Sequence, residues 1–236
     1  MSEKLQEALE AAFAEATRRY KERGFQRRVG FGKKPALISV DLANAWTRPG
    51  NPFTCDHIDD QVIPAMQKLL AAFRKHGFPV VHVTTCYQVT DRKNPNTDMG
   101  LWHCKIPVEA VAENDKHLWA IDSRIAPIAG EQLIVKKRAS AFHGTYLAGY
   151  LRAAGVDTVV VTGVTASACV RETVCDALAD GFRPIAVKEA IGDRIPGAVL
   201  WNLFDIDAKF GDVETVESCL QHLDRMAKGV RETVTA

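Results

Sequence analysis

A cysteine, an aspartate and a run of three bases stand at the ends of short apolar runs in this chain of 236 residues. Cys169 closes the turn Gly163-Val164-Thr165-Ala166-Ser167-Ala168 and opens a segment whose inward face is Val170, Val174 and Leu178. A thiol in the first turn of a helix feels the positive end of the helix dipole, which favours thiolate and nucleophilic attack. The same turn can aim backbone N–H groups at a developing oxyanion. The plain structural reading is a small buried apolar residue. Asp41 follows Ala36-Leu37-Ile38-Ser39-Val40. A carboxylate closing a buried strand must be hydrogen-bonded or paired, so it is either part of a site or a cap on the next turn. Lys136, Lys137 and Arg138 follow Leu133-Ile134-Val135. A base drawn into a site there needs a carboxylate partner, and the pattern alone does not choose among the three.

The elements that must position these groups alternate between short apolar strands and amphipathic helices. Strands are expected at Ala36–Asp41, Pro79–Cys86, Gln132–Lys136, Thr158–Gly163, Arg183–Lys188 and Gly211–Thr215. Helices are expected at Ser2 to about Arg23, Asp56–His76, Thr145–Ala154, Ala168–Asp180, Pro196–Ala208 and about Val216 to Gly229. Continuously apolar strands between amphipathic helices indicate a sheet buried on both faces. The fold class is therefore α/β, a three-layer α/β/α sandwich with a mostly parallel six-stranded sheet and an N-terminal helical extension. In such sheets ligands collect at the carboxyl ends of the strands, where Asp41, Lys136 and Cys169 all lie. Residues 1–29 read as the N-terminal helix and basic extension, and residues 30–236 as the main domain.

Composition narrows the function classes. Thirty Lys plus Arg against twenty-nine Asp plus Glu give a net charge of +1, which supplies no global field for nucleic acid or an anionic membrane. Runs such as Val159-Val160-Val161 are too short to span a bilayer. The basic stretch from Arg18 to Lys34 is either an anion-binding arm or a solvated extension covering the domain or a neighbouring subunit; the second reading is favoured. Six cysteines without a CxxC pair, and an acidic N-terminus without a secretory apolar region, point to reduced thiols in a cytoplasm.

Four segments together carry a resemblance to the cysteine hydrolases of the isochorismatase-like superfamily. They are Ala36 to Trp46, Val135 to Thr145 with its Ser140-Ala141-Phe142, Thr162 to Val170, and Gly192-Asp193-Arg194. The resemblance spans roughly Gly30 to Asp224. It implies an Asp41–Lys136–Cys169 triad and selects Lys136, six residues before Phe142, from the three bases. It also implies a cis peptide at Val164–Thr165, with the Thr165 and Cys169 N–H groups forming an oxyanion hole.

Within the superfamily the chain looks closest to the N-carbamoylsarcosine and maleamate amidohydrolases, on Val40 to Trp46 with Ala43, Gly30 to Lys33, and Met99 to Pro107. The segment Thr84 to Asp91 lacks the Asp-x-His element of metal-binding nicotinamidases, and His82 and His103 read as ordinary histidines. No metal and no cofactor are expected. Arg194 is the expected clamp for a substrate carboxylate, since a guanidinium offers a planar fork; its plain alternative is a surface pair with Asp193 or Asp205. Trp46 and Trp102 are expected to wall the substrate. The function implied is cysteine-dependent release of ammonia from a small carboxylated N-carbamoyl compound such as N-carbamoylsarcosine. The alternatives are a half-amide hydrolase, then isochorismatase or a non-catalytic binding or redox-switch relative. The expected partners are a small-molecule substrate and further copies of the chain, as a tetramer or dimer.

Overall fold

The computed structural model of the protein describes residues 3–89 and 97–228. Ser2, Thr90, Asp91 and Gly229, each part of a sequence expectation, lie outside the described residues. Six strands form one sheet: β1 (Pro35–Val40), β2 (Val80–Thr85), β3 (Gln132–Lys136), β4 (Thr158–Val164), β5 (Arg183–Gly192) and β6 (Asp212–Glu214). Their order is β3-β2-β1-β4-β5-β6, and every pairing is parallel rather than mostly so. This order reverses direction between β1 and β4, which opens a crevice there at the carboxyl edge. β1, β2 and β4 are buried at every position, as their largely apolar sequences favour, with Ser39, His82, Thr84, Thr85, Thr158 and Thr162 buried among them. β3 lies at the edge and alternates, leaving Leu133 and Val135 exposed.

Eight helices surround the sheet: α1 (Glu3–Glu22), α2 (Asn44–Thr47), α3 (Ile63–His76), α4 (Lys116–Trp119), α5 (Leu147–Ala153), α6 (Arg171–Ala179), α7 (Pro196–Asp205) and α8 (Val216–Ala227). α3 and α8 cover one face, packing Met66, Leu69, Phe73, Cys219 and Leu223 against Leu37, Val160 and Ile185. α5 and α6 cover the other, packing Leu147, Leu151, Val174 and Ala177 against Ile38, Val81, Val159 and Val161. Each fully buried Leu, Val or Phe contributes about 1.5–3 kcal/mol, so the two clusters hold the sheet from both sides.

The boundaries differ from expectation where the backbone departs from regular geometry. Ile58–Val62 forms a π turn before α3, because Pro64 has no N–H to give and regular helical bonding settles in after it. Ala166–Val170 is likewise a π turn, so Cys169 precedes α6 instead of opening it. β5 runs on to Gly192 instead of stopping at Lys188. Its register with β4 shifts between Val161 and Gly163, after which Gly163 pairs with Ile191 and Val164 with Gly192.

The N-terminal extension is tied to its own domain. On α1, Phe13 stacks on Phe204 with ring centroids 5.0 Å apart and meets Trp201 edge-on at 5.4 Å. Arg28 pairs with Asp207 at 2.9 Å, with Asp212 at 3.4 Å and with Glu214. The Val29 and Gly30 N–H groups donate to the Asp212 carboxylate, and those of Lys33 and Lys34 to Asp157. Of the two readings of the basic stretch, a covering extension is the one the structure displays.

One glycine is indispensable. Gly163 has φ +106°, and a Cβ there would lie 2.0 Å from the Val40 carbonyl oxygen, inside the β1–β4 pair. Gly163→Ala must either force the central strands apart or distort the turn before Cys169. The expected loss is on the order of 3 kcal/mol, lowering Tm by about 6–12 °C. Thermal unfolding checks this, and an unchanged Tm means the strand spacing is set elsewhere.

Candidate active site

The chain reverses out of β1 through Asp41, a non-glycine residue held at φ 52°. Its N–H donates to the Val83 carbonyl at 2.8 Å, so the sheet itself fixes the turn. Neighbouring strands bring the other groups to the same edge. Val40 pairs with Val83 on one side and Gly163 on the other, and Thr85 pairs with Lys136. Asp41, Lys136 and Cys169, expected from the sequence as a set, therefore meet. Lys136 Nζ lies 2.9 Å from Asp41 Oδ2 and donates to Cys169 Sγ at 3.3 Å. Asp41 and Lys136 are buried, and Cys169 is half-buried.

The neighbouring bases go elsewhere. Lys137 Nζ donates to the Cys86 carbonyl at 2.6 Å, and Arg138 lines an adjacent cavity with Ser140, His143, Glu172 and Asp176. Strand alternation accounts for the difference between Lys136 and Lys137.

Two further polar residues meet at the site: Thr85, not singled out from the sequence, and Asp193, expected there only as part of the Gly192-Asp193-Arg194 segment and as a surface partner of Arg194. Thr85 closes β2 and is buried. Its Oγ1 accepts from Lys136 Nζ at 2.6 Å and donates to Asp41 Oδ1 at 2.8 Å. The strand-end rule that selects Lys136 selects Thr85 as well, since the two are paired in register. Asp193, also buried, accepts from the Ser167 N–H at 2.9 Å and the Ser167 hydroxyl at 2.6 Å through Oδ2. Through Oδ1 it accepts from the Arg194 N–H at 2.7 Å. It thus binds the end of β5 to the turn that carries Cys169.

The electrostatics of the resting cluster differ from the helix-start expectation. Burial pushes the Cys169 thiol up to about 12; the Lys136 ammonium opposes this, while the Asp41 carboxylate adds to it. Desolvation and the neighbouring anion outweigh the ammonium, so the sulfur rests as a thiol. Burial disfavours the Lys136 ammonium too, but Asp41 and Cys169 more than offset it and hold the lysine above its ordinary value. The cluster is therefore an ammonium–carboxylate pair beside a neutral thiol.

A cavity of about 50 Å³ sits over the sulfur, lined by Trp46, Phe53, Tyr87, Trp102 and Ile106, with Arg194 also in its lining. Trp46 packs on Phe53 with ring centroids 5.2 Å apart. The exposed Arg194 guanidinium lies 6.0 Å from the centre of the Phe53 ring, and among the described residues no acidic side chain pairs with it. Asp205, the alternative partner, pairs with Arg171 and Lys209. The Val164–Thr165 peptide at the cavity wall is cis. His82, buried in β2, pairs with Glu131 at 3.1 Å, and no group of three or more potential metal ligands occurs among the described residues.

A family model for the isochorismatase domain matches residues 35–218. The chain belongs to the isochorismatase family. It is 51% identical over 224 residues to an N-carbamoylsarcosine amidase of an Arthrobacter species, covering 94% of this chain and 84% of that protein. It is 41% identical to a maleamate amidohydrolase of Pseudomonas putida, covering 85% of this chain and 92% of that protein. Among solved structures, an N-carbamoylsarcosine amidase from Thermoplasma acidophilum superposes with TM-score 0.64 at 27% identity, over 78% of this chain and 98% of that one. An isochorismatase family protein from Desulfovibrio vulgaris gives TM-score 0.70 at 28% identity, over 82% and 100% respectively.

The apolar wall depends on a buried acid. Asp122 accepts from Thr47 at 2.7 Å and pairs with Arg124 at 2.8 Å and Arg48 at 3.0 Å, clamping α2 and its Trp46. Burial pushes this carboxyl up, but hydrogen bonds from Arg124 and Thr47 prevail and hold it down to about 2, from an ordinary 3.8. A lowered carboxyl stabilises the fold above its unfolded value, and that contribution is lost as pH falls through about 2. With solvent screening at the half-exposed Arg48, it amounts to about 1–2 kcal/mol. Asp122→Asn should therefore lower Tm by roughly 2–8 °C at pH 7, with the gap to the unaltered protein closing towards pH 2. Melting curves across pH check the sign; a gap that widens in acid contradicts it.

Proposed function

We propose that this chain is a cysteine-dependent amidohydrolase that releases ammonia from a small carboxylated N-carbamoyl compound, with N-carbamoylsarcosine the first candidate. The observation that carries the reading is the Lys136 ammonium held 2.9 Å from a carboxylate oxygen and 3.3 Å from a thiol, beneath an apolar cavity. The 51% identity to an N-carbamoylsarcosine amidase over most of both chains supports the substrate class.

The chemistry follows from the charges. A thiol pushed up to about 12 is a poor nucleophile until its proton has somewhere to go, and Asp41 is the adjacent acceptor. As Asp41 takes that proton, Lys136 stabilises the sulfur anion, which attacks the ureido carbonyl carbon. The carbonyl electron pair moves to oxygen, where the Thr165 and Cys169 N–H groups serve as the oxyanion hole. Collapse of the tetrahedral adduct breaks the C–N bond, and Asp41 returns the proton to the leaving nitrogen as ammonia. Asp41 then takes a proton from water, whose oxygen attacks the thiocarbamate; the thiol is reformed and a carbamic acid departs. Trp46, Phe53 and Trp102 exclude water around the substrate, and Arg194 grips its carboxylate.

A half-amide such as maleamate is the second reading, supported by the 41% identity to a maleamate amidohydrolase. Its amide is cleaved by the same steps through a thioester. The proposal includes a cytoplasmic location, consistent with six cysteines that form no CxxC pair, and a homo-oligomer, for which exposed Trp201 and Phe25 offer apolar surface.

Ammonia release is measured with N-carbamoylsarcosine, maleamate and uncarboxylated ureas, before and after iodoacetamide. Alkylation at Cys169 should abolish release, and Asp41→Asn should lower kcat by about 10²–10⁴-fold. Arg194→Ala should raise KM for carboxylated substrates by roughly 10–100-fold while leaving kcat within about threefold. Turnover that survives alkylation of Cys169 refutes the nucleophile, and an unchanged KM refutes the clamp.

A further inference from the structure

Thr85 is buried where β2 ends, and its hydroxyl has one proton to give and lone pairs to receive. Lys136 Nζ, an ammonium, can only donate to it, at 2.6 Å. The hydroxyl proton therefore goes to Asp41 Oδ1, at 2.8 Å. Polarity along this chain runs one way, from Nζ–H to Oγ1 and from Oγ1–H to Oδ1. Asp41 Oδ2 is left different from its twin: it is buried, lies 2.9 Å from Nζ as an ion pair, and has no aligned hydrogen-bond donor.

We propose that Thr85 is a positioning residue that occupies Asp41 Oδ1 and thereby assigns to Oδ2 the exchange of the Cys169 proton. This deepens the amidohydrolase reading above and rests on it for turnover, though not for thiol reactivity. Without the hydroxyl, the carboxylate is free to rotate about its Cβ–Cγ bond and share both oxygens with Lys136. That draws the accepting oxygen away from the sulfur. The methyl group of Thr85 has no part in this effect.

The test compares Thr85→Val, which keeps the shape and removes the hydroxyl, with Thr85→Ser, which keeps the hydroxyl. Iodoacetamide modification of Cys169 is followed by mass spectrometry from pH 5 to 9 without substrate, alongside steady-state ammonia release. In Thr85→Val, alkylation near pH 7 should slow about tenfold. Its kcat should fall by a similar factor with KM within about twofold, while Thr85→Ser stays within about threefold of the unaltered protein on both readouts. Thermal melts identify a Thr85→Val protein that has lost its fold, in which case Thr85→Ser against Thr85→Ala decides by the same criteria. The proposal is overturned if Thr85→Val or Thr85→Ala alkylates with an unaltered profile, or if Thr85→Ser loses as much as either. If Cys169 is alkylated and ammonia release continues, the amidohydrolase mechanism fails, and the alkylation profile still decides the role of Thr85.

Discussion

One buried ammonium governs this site. Lys136 is enclosed among the strand ends with a carboxylate at 2.9 Å and a thiol at 3.3 Å. A charge withdrawn from water at this depth is tolerable only when paired and hydrogen-bonded. The pairing with Asp41 and the bond to Thr85 meet that need, and they set the charge of the whole cluster at zero. Burial pushes the resting thiol up, and the Asp41 anion adds to it because a second anion on sulfur would break the balance. Proton transfer from Cys169 to Asp41 restores the balance, because the negative charge only moves from oxygen to sulfur across the same cation.

The scaffold sets those distances. Strand pairing fixes Thr85 opposite Lys136 and Gly163 opposite Val40. The absence of a side chain at Gly163 lets β4 deliver the Cys169 turn directly beside the Asp41 turn. The register shift in β5 carries Asp193 to the same edge, where it binds the Ser167 amide and hydroxyl. Each of these contacts is made by backbone or by the short side chains of Ser167 and Asp193. Such groups have few rotamers to lose, so the geometry holds at small entropic cost.

Much of this was legible in the sequence because it follows from periodicity and strand-end position. The apolar runs gave six strands at the right places, and of the inward face expected after Cys169 the residues Val170 and Val174 are buried while Leu178 is half-buried. Arg194, Trp46 and Trp102 lie around one cavity with Cys169. What stayed illegible depends on three-dimensional detail. The π turn at Ala166–Val170 and the extension of β5 to Gly192 are backbone irregularities without a compositional signal. Choosing Lys136 over Lys137 and Arg138 needed the family resemblance, because three adjacent bases look alike until one knows which way the strand faces. Thr85 escaped notice, and Asp193 was noticed without its bonds to Ser167, because a threonine in a strand and an aspartate before an arginine are common, and only their partners make them special.

The site divides into two parts with different physical constraints. Asp41, Thr85 and Lys136 sit on strand ends or the turns leaving them, are buried, and are cross-bonded within 3 Å. Trp46, Phe53, Trp102 and Arg194 sit on short helices and loops, and Arg194 is exposed. In the proposed reaction the first group handles protons and charge, where a displacement of half an ångström changes the reaction. The second would meet the substrate, where a single methylene alters binding by only about 1–3 kcal/mol. Mounting the charge-handling groups on paired strands and the recognition groups on loops allows the acyl part of a substrate to change without disturbing the proton path. A carbamoyl and a half-amide carbonyl present the same trigonal carbon to the sulfur, so the choice between them lies with the loop residues alone.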